Sequence, residues 1–139
     1  VVLVLNTLSA IVSFAKKLEE DSARLYEELA DKHSDGMLIS FANENRDNKT
    51  IVERAYYGVI SDQVESSFFE ELDGDEYRID GEKVLDLRGI LEVEETIQRF
   101  YLDAASRLVS FLPDVSNAFK RIVKRREKRL EKLEMMENG

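Results

Sequence analysis

Four stretches of the chain place apolar side chains at the 3.6-residue period of an amphipathic helix. The first covers residues 7–32, where Leu8, Ile11, Val12, Ala15, Leu18, Ser22, Leu25, Tyr26 and Leu29 form one apolar or small stripe. Asn6, Thr7 or Ser9 can cap its start, and Ser34-Asp35-Gly36 supplies turn chemistry at its end. The second covers residues 37–60 through Leu38, Phe41, Ala42, Val52, Ala55 and Tyr56. Its stripe lapses for two turns across the polar interval 43–50, and Gly58 weakens its end. The third, residues 87–111, carries Ile90, Leu91, Ile97, Tyr101, Ala104, Ala105 and Leu108. Pro113 either stops it or opens the fourth, residues 114–136, with Val115, Ala118, Phe119, Ile122, Val123, Leu130 and Leu133 inward.

The link between the second and third helices is too long for a turn. Within it, Tyr77-Arg78-Ile79 and Glu82-Lys83-Val84 flank Asp80-Gly81, a pair that favours a tight turn, so a small β-hairpin is predicted there. Phe68-Phe69 reads as an anchor pinning the loop to the helices, or, if exposed, as a partner site. A calcium loop opening at Asp73 would need Gly where Arg78 stands, which excludes an EF-hand. Short link, long link, short link: the pattern predicts one all-α domain over residues 1–139, a four-helix bundle with one long crossover.

Composition narrows the classes. With 43% apolar and 35% charged residues, the chain is too hydrophobic for disorder. No apolar run approaches the ~18 residues needed to cross a membrane. The apolar opening at residues 1–5 lacks the basic flank of a signal peptide, so a cytoplasmic location is expected. No Cys and a single His leave little for thiolate or imidazole chemistry, and no nucleophile–base pair, phosphate loop or zinc pattern is present. Charge is uneven within the net of -9: residues 61–95 hold thirteen acids against three bases, residues 113–139 eight bases against five acids. The basic run admits a nucleic-acid reading, which the anionic total and the interrupting Glu127, Glu131 and Glu134 argue against.

The chain also repeats itself. Leu18-Glu19-Glu20, Tyr26 and Ala30 recur 75 residues later as Val93-Glu94-Glu95, Tyr101 and Ala105. Polar residues interrupt every stripe near mid-height: Glu19, then Asn45 and Asn48, then Glu94, then Arg126 and Arg129. Buried unpaired charge is costly, so these groups should face one another, a ligand, water or a partner. The plainer alternatives are a boundary Glu reaching to water and an exposed basic helix carrying both Arg. Glu44 and Asp47, an i, i+3 acidic pair, could hold one metal ion but read better as a solvated face. Tyr26 and Tyr101 read as core packing with a partner for each hydroxyl.

With the segments LEEDSARLYEELA and VEETIQRFYLDAA, the chain resembles the rubrerythrin branch of the ferritin-like superfamily over about 110 of its 139 residues. The resemblance implies a bundle whose core holds two irons, two helices giving a Glu each and two giving a Glu-x-x-His pair. The single ligands correspond to Glu19 and Glu94, the two pairs to Asn45/Asn48 and Arg126/Arg129. Neither pair survives, and an Arg offers a metal no lone pair. The expectation is a ferritin-like bundle with a degenerate diiron site and no cofactor, acting as a non-catalytic binding or structural module. Protein partners or self-association are expected, without membrane. The alternative is an iron-dependent oxidoreductase or iron-binding protein using a divalent metal at Glu19 and Glu94. A third reading is nucleic-acid association through the fourth helix. On charge balance, Arg126 and Arg129 could stand where metals stood, forking onto the two Glu.

Overall fold

The computed structural model describes residues 3–84 and 86–138. Its main elements are helices. Helix α1, Leu8–His33, is capped by Thr7, whose hydroxyl accepts from the Ala10 N–H at 3.1 Å. It ends where Ser34 turns left-handed at φ 51° and donates to the Ala30 carbonyl. Asp35 then caps helix α2, Gly36–Val59, accepting from the Met37 N–H at 2.8 Å. A one-turn helix α3, Asp62–Glu65, opens the crossover. Helix α4, Leu87–Leu108, is capped by Asp86, and helix α5 runs over Pro113–Asn138.

The described residues are all-α apart from one short strand pair and two 3-10 turns. Strand β1, Val4–Leu5, runs antiparallel to β2, Leu72–Asp73, in the register Val4 to Asp73 and Leu5 to Leu72. The long helices form a closed ring: α1 packs on α2, α2 on α5, α5 on α4 and α4 on α1. Links of two and four residues join α1 to α2 and α4 to α5, so each pair is antiparallel. The crossover lies over α1 and α4, with α3 and β1 against α1 and the 3-10 turn Gly74–Tyr77 against α4. Tyr77 fixes that turn. Its ring meets Phe100 edge-on at 5.5 Å and its hydroxyl donates to Asp103 at 2.5 Å.

Three expectations need correction. The third helix stops at Leu108 rather than 111, because Leu112 turns inward and Pro113 begins α5. Proline suits that first position, where its missing N–H would have no partner anyway. The hairpin at Asp80-Gly81 does not form. A two-residue hairpin turn needs positive φ, and no described glycine has it. Instead Asp80 caps a second 3-10 turn, Gly81–Lys83, accepting from the Glu82 N–H at 3.1 Å. Phe68-Phe69 is only half an anchor. Phe69 packs on Phe111 at 6.0 Å between ring centroids and donates its N–H to Asn6, while Phe68 is 74% exposed.

Candidate functional site

All six polar positions singled out above are buried. Glu19, Asn45, Asn48, Glu94, Arg126 and Arg129 are each at most 1% exposed, and the two Arg are among the largest fully buried side chains. The reason is local. Glu19 stands four residues after Ala15 and three before Ser22, and Glu94 four after Ile90 and three before Ile97, so each Cβ points with its apolar neighbours. Asn45 and Asn48, three apart, fill the gap in the α2 stripe, as Arg126 and Arg129 fill that of α5.

Arg126 is the hub. Its Nη1 donates to Glu94 Oε1 at 2.7 Å, and its Nη2 to Glu19 Oε1 and Oε2 at 2.8 and 2.9 Å and to Asn45 Oδ1 at 3.1 Å. One guanidinium therefore bridges two carboxylates from different helices. Arg129 donates Nη1 to Asn45 Oδ1 at 2.7 Å and Glu94 Oε1 at 3.1 Å. Its Nη2 reaches Glu44 Oε1 at 2.7 Å and the Phe41 carbonyl at 3.3 Å. The same guanidinium lies 5.1 Å from the ring centres of both Tyr26 and Phe41, a cation–π arrangement.

The tyrosines cross between the repeats. Tyr26 on α1 donates to Glu94 Oε1 on α4 at 2.6 Å, and Tyr101 on α4 donates to Glu19 Oε2 on α1 at 2.7 Å. Asn48 completes Glu19 with a bond of 3.1 Å to Oε1, and Asn45 donates to Ser22 Oγ at 3.1 Å. The four fully buried charges sum to zero, with Glu44 at the edge of the layer as a further partner for Arg129.

Burial pushes the Glu94 carboxyl up, yet the Arg126 and Arg129 guanidiniums and the Tyr26 hydroxyl outweigh it and hold the group below its ordinary range. Burial also raises both phenols, Tyr26 and Tyr101, assisted by the neighbouring Glu94 and Glu19 charges. Burial opposes the charge on Arg126, but Glu19 and Glu94 keep it firmly protonated. The layer is thus ionic: each carboxylate is met by a guanidinium and a phenol, while Glu94 Oε2, Asn48 Oδ1 and the Nε of both Arg are buried without a hydrogen-bond partner. In such a network the attraction and the desolvation cost nearly cancel, while loss of one member leaves a bare buried charge.

A two-iron centre of the resembled type does not fit these residues. It needs carboxylate and imidazole lone pairs, whereas Arg126 and Arg129 offer only N–H donors, and the Arg126 guanidinium already joins the two carboxylates. His33 is exposed at the far end of α1. Among the described residues, no group of three or more His, Asp and Glu is placed to hold a metal ion. Glu44 and Asp47 do not form an isolated acidic face: both meet Arg125 at 3.8 Å, and Glu44 also reaches inward to Arg129. That inward role of Glu44 has no signature in the α2 pattern alone. Neither does the Phe41 carbonyl, a backbone acceptor.

A groove of about 500 Å³ between α1 and α2 borders Glu19 and Asn45. Its cations are engaged locally, Arg24 with Asp21, Arg46 with Glu27 and Lys49 with Glu20. No helix among the described residues is long and apolar enough to cross a membrane. Compared with protein-family models, curated proteins and solved structures, the chain matches none of the three.

Proposed function

We propose that this chain is a ferritin-like four-helix bundle of the rubrerythrin type in which an organic ion-pair layer has taken the place of the dinuclear metal centre, and that it works as a non-catalytic binding or structural module. The observation that carries the reading is the Arg126 guanidinium bonded at once to Glu19 and Glu94. These are the residues that correspond to the single-Glu ligands of the resembled family. A guanidinium there neutralises the carboxylates permanently and has no open coordination position, no redox state and no exchangeable water. What remains is a rigid scaffold whose surfaces, rather than its core, meet other molecules.

The test restores the missing ligands. The variant carrying Asn45→Glu, Asn48→His, Arg126→Glu and Arg129→His should bind about two Co(II) ions per chain. Absorption in the visible range reports the binding, and wild type prepared without chelators should bind none. A folded variant that takes up no metal refutes the correspondence of positions. Wild type purified with one or more metal atoms per chain refutes the loss of the centre and favours the iron-dependent alternative.

A further inference from the structure

The chain has nine more acids than bases, yet cations dominate one strip of its surface. Most described surface cations on the other elements have a carboxylate within 4.0 Å, as in Lys16–Glu53, Lys17–Asp21 and Arg88–Glu137. On the outer face of α5 the pattern reverses. Lys120, Arg121, Lys124, Lys128 and Lys132 are exposed and make no ion pair among the described residues, nor does Arg54 across from them on α2. Arg121, Arg125, Lys128 and Lys132 recur at i, i+4, i+7 and i+11, so they share one stripe, about 16 Å long at 1.5 Å per residue. Glu127, Glu131 and Glu134 fall on the neighbouring side of the helix together with Lys120 and Lys124, so the stripe free of α5 carboxylates is the one through Arg121, Arg125, Lys128 and Lys132. Arg54, Arg121 and Arg125 line a groove of about 410 Å³ between α2 and α5, with Asp47 its one carboxylate.

The opposite face carries the complementary charge. Because the ring runs α1, α2, α5, α4, the crossover over α1 and α4 lies across the molecule from the α2–α5 groove. Between residues 70 and 76 it exposes Glu70, Glu71, Asp73, Asp75 and Glu76; Glu70 meets Arg107 and Asp75 meets Arg78, which leaves Glu71, Asp73 and Glu76 without an ion pair among the described residues. This segment is held in place: β2 pairs with β1, and Tyr77 anchors the following turn.

We propose that the basic α2–α5 face docks the acidic 70–76 ridge of a second copy of this chain, head to tail. A nucleic-acid strand would meet the cations but also a molecule that is anionic overall, whereas the ridge matches the sign of the stripe. The proposal does not depend on the reading of the buried layer, whose two Arg are withdrawn from this surface. Such a contact is heterologous, each copy keeping one unfilled face, so it extends into open chains rather than stopping at a dimer. It should be strongly salt-dependent, since the screening length falls from about 10 Å at 0.1 M to about 3 Å at 1 M ionic strength.

Sedimentation velocity on the intact chain tests this. Wild type should form concentration-dependent oligomers at low salt and be monomeric at high salt. Two neutralised variants, Arg54→Ser/Arg121→Ser/Lys128→Ser and Glu70→Gln/Glu71→Gln/Glu76→Gln, change only exposed side chains; each should keep the wild-type circular dichroism and weaken association by roughly tenfold or more. Mixed together, they should form a heterodimer of one copy each that grows no further, because only one matched pair of faces survives. A wild type that is monomeric at low salt overturns the proposal. So does an association that either variant leaves intact, or a mixture that stays monomeric. Groove-dependent binding of a single-stranded oligonucleotide by a wild type that does not self-associate would assign the face to nucleic acid instead.

Discussion

Replacing Arg126 by Met keeps a long apolar side chain in the core and removes the hub of the buried layer. Two carboxylates then face one remaining guanidinium. Arg129 still touches Glu94, but Glu19 retains only the Tyr101 hydroxyl and the Asn48 amide. Breaking a buried pair in this way costs about 3–5 kcal/mol, a large part of the 5–15 kcal/mol that holds a typical domain together. With an m-value of about 2 kcal/mol/M, a loss of about 4 kcal/mol moves the urea midpoint by about 2 M. The two possible second changes are not equivalent. Adding Glu19→Leu removes the stranded carboxylate and leaves Glu94 matched to Arg129, so most of the loss should return, a coupling of about 2–3 kcal/mol. Adding Glu94→Leu removes the carboxylate that still has a cation and leaves Glu19 stranded, so little should return. Urea titration followed by far-ultraviolet circular dichroism measures all the variants. If Arg126→Met alone does not fold, recovery of a cooperative transition by Glu19→Leu, and not by Glu94→Leu, is the readout. Additive effects, or equal rescue by both, would refute the bridging role of Arg126.

The Glu94 carboxyl is held below its ordinary range, so its contribution to stability is present above the unfolded value of about 4.3 and is lost as pH falls through the lower folded value; urea midpoints measured against pH should drop in that acidic window, and Glu94→Gln should flatten the drop. Tyr101→Phe removes a bond to a buried carboxylate and should cost about 1.5–3 kcal/mol by urea titration, whereas a cost near zero would mean that the phenol does not hold Glu19. Limited digestion with a glutamate-specific protease, read by mass spectrometry, should cut first within residues 61–86, where elements are short and Glu70 and Glu71 are exposed; first cleavage in α5 would contradict this.

What could be read from sequence was what repeats locally. The α1 and α4 stripes, regular at 3.6 residues, placed Glu19 and Glu94 on inward faces, and the same periodicity put Arg126 and Arg129 on that of α5. Whether those guanidiniums turn inward rests on charge balance between helices far apart in sequence, which the local pattern of α5 does not decide. The crossover was harder because its order comes from distant contacts. Two residues of β1 pair with two of β2 some 68 positions away, a match too short to leave a pattern. Asp80-Gly81 has the composition of a hairpin turn, but the flanking chain is held by Tyr77 packing and by the Asp80 cap, and the glycine never uses its access to positive φ. The tyrosines were legible as groups needing partners; that each would choose the carboxylate of the other repeat was not.

The crossing of partners between the two helix pairs bears on the order in which the chain assembles. The α1–α2 pair contributes one buried negative charge and no cation to the layer, and the α4–α5 pair contributes one negative and two positive. Neither pair is electrically complete. During synthesis Glu19 is made 107 residues before Arg126, so the first helix pair must leave the ribosome and wait with its carboxylate solvated until the last helix arrives. An ionic layer that closes after the local helix–helix contacts would act as a latch, and the expected outcome is that Arg126→Met speeds unfolding more than it slows folding, as read by stopped-flow urea jumps.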